Sequence, residues 1–445
     1  MNKYKVNKWI KPGLYTTLDK FSVVALGFIS FFLLTRVLTK TEFGVWVLFT
    51  GIVSILETLR EGFVKQPFIA FLAAAKNQDR TNLGSAAFII NLIYSILVSL
   101  VLLALAYPLE LFWGASPLGN LLRIYALSNL VFVPFSHFEY LQQARLDFKG
   151  IFLSHLIRSI VPTTFILFMA SIKLEFSLNS LAIVSLVGNV IGTGTCIYFG
   201  FTYRHPLKKP TWTSVRYMLG FGKYSLGTNF GALTVRNMDS WMLGKMLSTE
   251  SVAQYNPAIR ISNLVEIPTL TIANLVFPKM AQSYDGSDYK ASSELYERSL
   301  GVLLGIMIPI AFFMFFFSDW IVLIVAGKNY MESGYLLKIT AFYVLFIPFG
   351  RQFGVLLDAV RKPKVNFYFV IGTAILNVVI SYLFIARWGI AGAAFGTLIT
   401  YVIRFIFQQV ILYKVFGIFT SRIFPNVLRF YSDVFAMIRP TRSSK

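Results

Sequence analysis

The chain has 445 residues, of which 56% are hydrophobic and only 14% charged, against about 25% charged in soluble proteins. That balance leaves little chain for a soluble domain, and the lone cysteine, Cys196, excludes a disulfide framework or a thiolate metal cluster. The net charge of +21 is dispersed over many short segments, which points to contact with anionic lipid and away from nucleic acid.

A bilayer-spanning helix needs about 20 mostly apolar residues. In chain order, such spans are predicted near 13–35, 44–72, 84–107, 118–141, 151–172, 178–201, 218–244, 252–278, 299–318, 333–357, 365–386 and 389–413. The basic N-terminus (Lys3, Lys5, Lys8, Lys11) leads into the first of them with no small-residue cleavage site. It therefore reads as a retained helix and not as a removed signal peptide. An even number of spans puts both termini on one side. With that side cytoplasmic, the inside segments carry 24 basic residues and the outside segments 6, a strong positive-inside asymmetry. Trp9, Trp46, Trp113, Trp212, Trp241, Trp320 and Trp388 fall near span ends, where indole favours the interface. His137, His155 and His205 are scattered and suggest no catalytic pair, so neither an enzyme nor a cofactor is expected.

Two halves repeat. Leu121-Leu-Arg-Ile-Tyr-Ala126 leads to Phe132-Val-Pro-Phe135, and Leu336-Leu-Lys-Ile-Thr-Ala341 leads to Phe346-Ile-Pro-Phe349. A weaker echo links Arg36-Val-Leu-Thr to Lys245-Met-Leu-Ser. Six spans per half give both the same orientation, as in transporters built of parallel repeats. The expected organisation is an all-α membrane protein. A six-helix N-terminal lobe (1–205) and a six-helix C-terminal lobe (206–416) surround a central cavity, and a cytoplasmic tail (417–445) is amphipathic or disordered.

Charges inside spans cost about 2.5–3.5 kcal/mol each near the bilayer centre on insertion scales, and they default to function. The second span holds Glu57, Arg60, Glu61 and Lys65 at spacings of three and four, hence on one helical face. Arg236 and Asp239 lie in the seventh span, Arg260 and Glu266 in the eighth, and Arg351 in the middle of the tenth. Some of these form neutralising pairs that hold helices together. Basic residues still outnumber acids within the spans, and a cavity with surplus positive charge suits an anion, since arginine forks match phosphate oxygens.

Leu34-Thr-Arg-Val-Leu-Thr-Lys-Thr-Glu-Phe-Gly44 resembles the signature after the first span of the multidrug/oligosaccharidyl-lipid/polysaccharide exporter superfamily, specifically its Wzx-type polysaccharide flippases. Asp239, Gly244, Val252-Ala-Gln-Tyr255, Ala258 and Arg260 resemble a second pattern of that family, with Pro268 and Phe277-Pro278 beyond. Glu61-Gly62-Phe63 to Gln66 is similar to the second span of lipid II flippases, although the basic position expected just upstream is apolar here, at Leu56. The resemblance implies a flippase moving an undecaprenyl-pyrophosphate-linked oligosaccharide (an O-antigen, capsule or exopolysaccharide unit) across a bacterial inner membrane by alternating access. It implies that Arg260 handles the pyrophosphate; Arg60 and Arg236 share the required spans, and the depth of Arg351 adds a fourth candidate. Glu57, Glu61, Asp239 and Glu266 are left as ion-coupling or charge-pairing residues. Polysaccharide polymerases are candidate partners. A drug/cation antiporter of the same superfamily is the alternative, and a membrane polysaccharide polymerase or ligase a more remote one.

Overall fold

The computed structural model describes residues 3–65, 67–69, 72, 77–204, 209–220, 223–284 and 289–438. The expected lobe boundary at 205/206 and the tail end at 439–445 lie outside them. The described chain is helical, and ten of its helices are long and apolar enough to cross a membrane. The first six match expectation closely, from Lys11–Val37 to Leu178–Tyr203. The predicted seventh span is helical as Lys223–Met246 but is not among the ten. The predicted eleventh and twelfth spans are the two helical arms of the 54-residue stretch Pro363–Phe416, divided at Gly389.

That long element is folded back on itself. Gly389 takes φ 59°, ψ −136° in its middle, a backbone region costly for other residues. Beyond the bend the two arms pack closely: a Cβ on Gly392 would lie 2.0 Å from the Phe384 carbonyl, and one on Gly396 would lie 2.9 Å from Ser381 Cα. Asn377 and Thr397 hydrogen-bond across the arms at 3.3 Å. Small residues allow backbones to approach in this way where lipid supplies no hydrophobic drive between helices.

The chain divides into two units, residues 1–230 with 248–250, and residues 231–247 with 251–445. In the first unit, α1 is Lys3–Val37, α2 is Lys40–Arg60, α3 is Asn77–Trp113, α4 is Leu118–Ala144, α5 is Lys149–Ser171 and α6 is Leu178–Gly200. A capping box starts α2: Thr39 accepts from the Glu42 amide, and the Glu42 carboxylate accepts from the Thr39 amide. Gly44 follows because the Thr249 carbonyl occupies the space a Cβ would need. Between α2 and α3 the chain makes a π-helical turn at Glu61–Lys65, a form frequent at functional sites. Helix α7 (Trp212–Gly220) also belongs to the first unit; α8 (Lys223–Met246) and α9 (Thr249–Val265) begin with first-unit residues and continue in the second, which holds α10 (Ile267–Ser283), α11 (Lys290–Phe316), α12 (Ser318–Val325), α13 (Ser333–Val344), α14 (Ile347–Ala359) and α15 (Pro363–Phe416).

The tail is helical over Ile423–Ile438 (α16). Gly417, at φ 63°, closes α15 by donating to Tyr413, while Ile418 donates to Leu412, a left-handed helix ending. The chain then turns back to the second unit. Ile418, Ile423 and Val427 join a core with Tyr296, Leu300 and Leu412. Gly301-Val-Leu-Leu-Gly305 on α11 forms the seat: a Cβ on Gly301 would come within 2.4 Å of Asn426, and one on Gly305 within 2.4 Å of the Phe430 ring. Tyr431 donates to the Gly305 carbonyl at 2.8 Å. Both contacts advance together, so α16 runs in the same direction as α11. Phe424, Leu428 and Phe435 stay exposed on another face.

Gly305→Leu therefore drives Phe430 out of its seat. Overpacking of this kind costs about 1–3 kcal/mol. The expected outcome is a lower melting temperature for the full chain and little change for a chain ending at Arg422. An equal loss in both would show that α16 is not what Gly305 accommodates.

Candidate functional site

In the first unit a cavity of about 410 Å³ opens among α1, α2, α4, α5 and α6. Glu57, Arg60, Glu61 and Lys65, the predicted stripe, all line it. Lys65 bridges Glu61 at 2.9 Å and Glu139 at 3.2 Å. Asp19 pairs with His155 at 2.8 Å. Arg60 is buried, at 4% exposure. It donates to the side-chain oxygen of Asn129, which in turn donates to the Ser95 carbonyl at 2.7 Å and Ser99 at 2.8 Å. This arginine thus ties α2 to α4 and, through Asn129, to α3.

Sequence reasoning did not single out Arg158 on α5. Its Nε donates to Asn189 at 3.0 Å. Its guanidinium lies 4.3 Å from the Phe132 ring centre and 4.6 Å from that of Phe135, within cation–π range. The carboxylate it pairs with, Glu57, is 4.0 Å away, the outer limit of an ion pair. Gly192 leaves room for the side chain, since a Cβ there would lie 2.5 Å from Arg158 Cγ. The signal in the sequence is Gly188-Asn-Val-Ile-Gly192, a small-residue seam with one polar residue inside it. The repeated Phe132-Val-Pro-Phe135 supplies the aromatic platform. Its counterpart packs similarly in the second unit: Phe346 and Phe349 flank Phe405, and Arg404 donates to the Gly350 carbonyl at 3.3 Å.

The expected positive surplus is not found in the first cavity. Lys20, Arg60, Lys65 and Arg158 face Asp19, Glu57, Glu61 and Glu139 in equal number. The surplus lies in the second unit. There Arg236 on α8 and Arg351 on α14 both pair with Glu266, at 2.7 Å and 2.5 Å, near Arg404. Asp239, three residues from Arg236, pairs differently. Buried, it accepts from the hydroxyls of Tyr255 (2.9 Å), Ser381 (2.8 Å) and Thr397 (2.5 Å), and it forms no ion pair among the described residues. Arg260 is exposed on α9. It lies six residues before Glu266, which stands just beyond the end of α9.

A family model described as "Polysaccharide biosynthesis protein" matches residues 33–334. The chain belongs to the polysaccharide biosynthesis protein family. Among curated relatives, it is 25% identical over 198 residues to a protein named as a probable low-salt glycan biosynthesis flippase in Haloferax volcanii, covering 44% of this chain and 42% of that one. The match thus spans about two-fifths of that relative's length. A protein named as a probable lipid II flippase in Borreliella burgdorferi is 25% identical over 80% of this chain and 73% of its own. An amylovoran biosynthesis protein of Erwinia amylovora is 23% identical over 66% of this chain and 76% of its own. Two solved structures share the fold, each with TM-score 0.74. One is an inward-facing MATE multidrug transporter (13% identity, covering 87% of this chain and 94% of its own). The other is the lipid II flippase MurJ in an inward closed conformation (14% identity, covering 97% and 94%). The chain therefore shares the helical fold of these two structures.

Arg60 is held as a structural brace by this geometry. Arg60→Ala leaves the buried Asn129 oxygen without its donor, at a cost of about 1–3 kcal/mol. The expected outcome is a lower melting temperature of the solubilised protein, greater than the drop for Arg158→Ala. The reverse order would contradict the assignment.

Proposed function

We propose that this protein is a flippase that carries an undecaprenyl-pyrophosphate-linked oligosaccharide from the cytoplasmic to the outer leaflet of a bacterial inner membrane by alternating access. The observation that carries the reading is Arg158, a guanidinium on a membrane cavity held by a neutral amide and two aromatic faces, with its carboxylate partner only at the 4.0 Å limit. Such a group offers a planar fork to a diphosphate. Arg236 and Arg351 offer a second anion-binding pair, and Arg260, exposed on α9, a further contact. Sugars would meet the polar and aromatic lining, and the lipid tail would remain in the bilayer. No bond is made or broken. The two six-helix lobes, the tail beyond residue 416, both cytoplasmic termini and association with a polymerase belong to the same proposal.

Asp239 is the residue through which an ion gradient would act, because its three hydroxyl donors form a polar cage without a basic partner among the described residues. Glu57, Glu61 and Glu266 serve charge pairing. The equal number of carboxylates in the first cavity favours a second reading, a cation antiporter. Efflux of a cationic dye, with no movement of lipid-linked glycan, would establish that alternative instead.

Flipping of lipid-linked oligosaccharides in proteoliposomes tests the main reading. Arg158→Ala should lower the rate about 100-fold or more, as removal of one preorganised donor does elsewhere. Arg158→Lys should recover part of it, since a point charge lacks the fork. Wild-type flipping by Arg158→Ala would remove the role assigned to it. Orientation has its own test: a cysteine at Ser214 should resist membrane-impermeant reagent in intact cells and react after permeabilisation. Labelling in intact cells would invert the topology.

A further inference from the structure

Glu266 sits where a span is interrupted. Helix α9 ends at Val265 and α10 starts at Ile267, with Pro268 at its beginning. Proline lacks the amide that would bond to the carbonyl four residues back, and its ring crowds that turn. The tenth predicted span is interrupted in the same manner: α13 ends at Val344 and α14 starts at Ile347, with Pro348 at its beginning. Arg351 stands three residues beyond that proline. One short ion pair, Arg351 to Glu266 at 2.5 Å, therefore joins two proline-weakened joints.

The arginines are arranged as an anion site whose occupant belongs to the chain itself. Arg236 and Arg351 approach opposite oxygens of one carboxylate, Oε2 and Oε1. Each uses a single terminal nitrogen for it. The carboxylate is the shielded partner, with 12% of its side chain exposed, against 45% and 39% for the two arginines. A carboxylate bridging two guanidinium groups occupies the place a phosphate group would take, and a phosphate with more oxygens and more charge would satisfy both forks better.

We propose that Glu266 is a displaceable stand-in for the substrate's phosphate, so that arrival of a diphosphate at Arg236 and Arg351 expels Glu266 and unties the joints at Pro268 and Pro348. The inference rests on the anion-carrying reading above and adds to it the means by which loading changes the transporter's conformation. A ligand shifts a conformational equilibrium only through contacts that differ between the two states. Here the differing contact is the Glu266 carboxylate, bound in the empty state and released in the loaded one. With Glu266 in place, one of the two positive charges is also compensated while no substrate is present.

The test uses the full chain in lipid nanodiscs, with inorganic pyrophosphate as the probe. Affinity is measured by calorimetry, and backbone opening by hydrogen exchange of the segment Ser262–Thr271. Glu266→Gln removes the competitor and should bind pyrophosphate about tenfold or more tightly, and Arg351→Gln added to it should cancel that gain. Glu266→Asp keeps the charge but is too short to bridge both arginines; it should show part of the gain, which a purely long-range charge effect would not produce. Pyrophosphate should speed exchange of Ser262–Thr271 in the wild type, and Glu266→Gln should show fast exchange without it. Unchanged or weaker binding by folded Glu266→Gln, or exchange that ignores pyrophosphate in the wild type, would overturn the stand-in role while leaving the transport reading intact. Should Glu266→Gln fail to fold, Glu266→Asp carries the same comparison, and wild-type affinity there overturns it. Absence of pyrophosphate binding by every form would defeat both the stand-in and the anion reading of this site.

Discussion

A guanidinium cannot leave its proton in hydrocarbon, and this constraint governs both units. Each arginine drawn into a span costs several kcal/mol unless the protein supplies partners. The first unit supplies mostly neutral ones: Asn129 and the Tyr94 and Phe132 rings for Arg60, and Asn189 with two phenylalanine faces for Arg158, with Glu57 at the 4.0 Å limit. The second supplies a carboxylate, Glu266, shared by two arginines. The kind of partner separates the roles. An arginine consumed by a buried amide network braces helices. One whose carboxylate stands at the edge of ion-pair range, or is a group that can withdraw, retains capacity for an arriving anion.

The helices around these charges are fitted by small residues and interrupted by prolines. Gly192 makes room for the Arg158 stem, and Gly301 with Gly305 receives the tail helix. Gly389 lets the final long element double back, which brings Ser381 and Thr397 together on Asp239. Pro268 and Pro348 stand beside the joints that the Glu266 bridge connects. Packing between membrane helices depends on such close approach and on polar contacts, so the residues that shape the backbone also place the charges.

Much of this was legible beforehand. Hydropathy located most of the spans because a bilayer demands a long apolar run, and that demand is local in sequence; the predicted seventh is helical but falls short of that apolarity. The face shared by Glu57, Arg60, Glu61 and Lys65 followed from helical spacing, and all four line one cavity. Partner choice was not legible, since it joins residues far apart in the chain. Glu266 pairs across 30 residues to Arg236 and 85 to Arg351, and Asp239 reaches across 142 and 158 to its hydroxyls. Arg158 counts among the basic residues inside spans but was not singled out as a site residue, because a lone basic residue in an apolar run carries no local pattern; its signal lay in the glycine seam of the next helix. The tight reversal between the last two predicted spans likewise depends on one backbone conformation, at Gly389, that hydropathy does not register.

The central claim is that arginines inside the membrane hold the diphosphate of a lipid-linked glycan. The most direct measurement is solid-state NMR of the full chain, with arginine guanidinium groups labelled with nitrogen-15 and undecaprenyl pyrophosphate supplied in the bilayer. Phosphorus signals should dephase against guanidinium nitrogen, as a charge-assisted N–H···O contact of about 2.8 Å to a phosphate oxygen requires, and Arg158→Lys should reduce that dephasing. Bound lipid whose phosphorus shows no dephasing from any guanidinium would contradict the account.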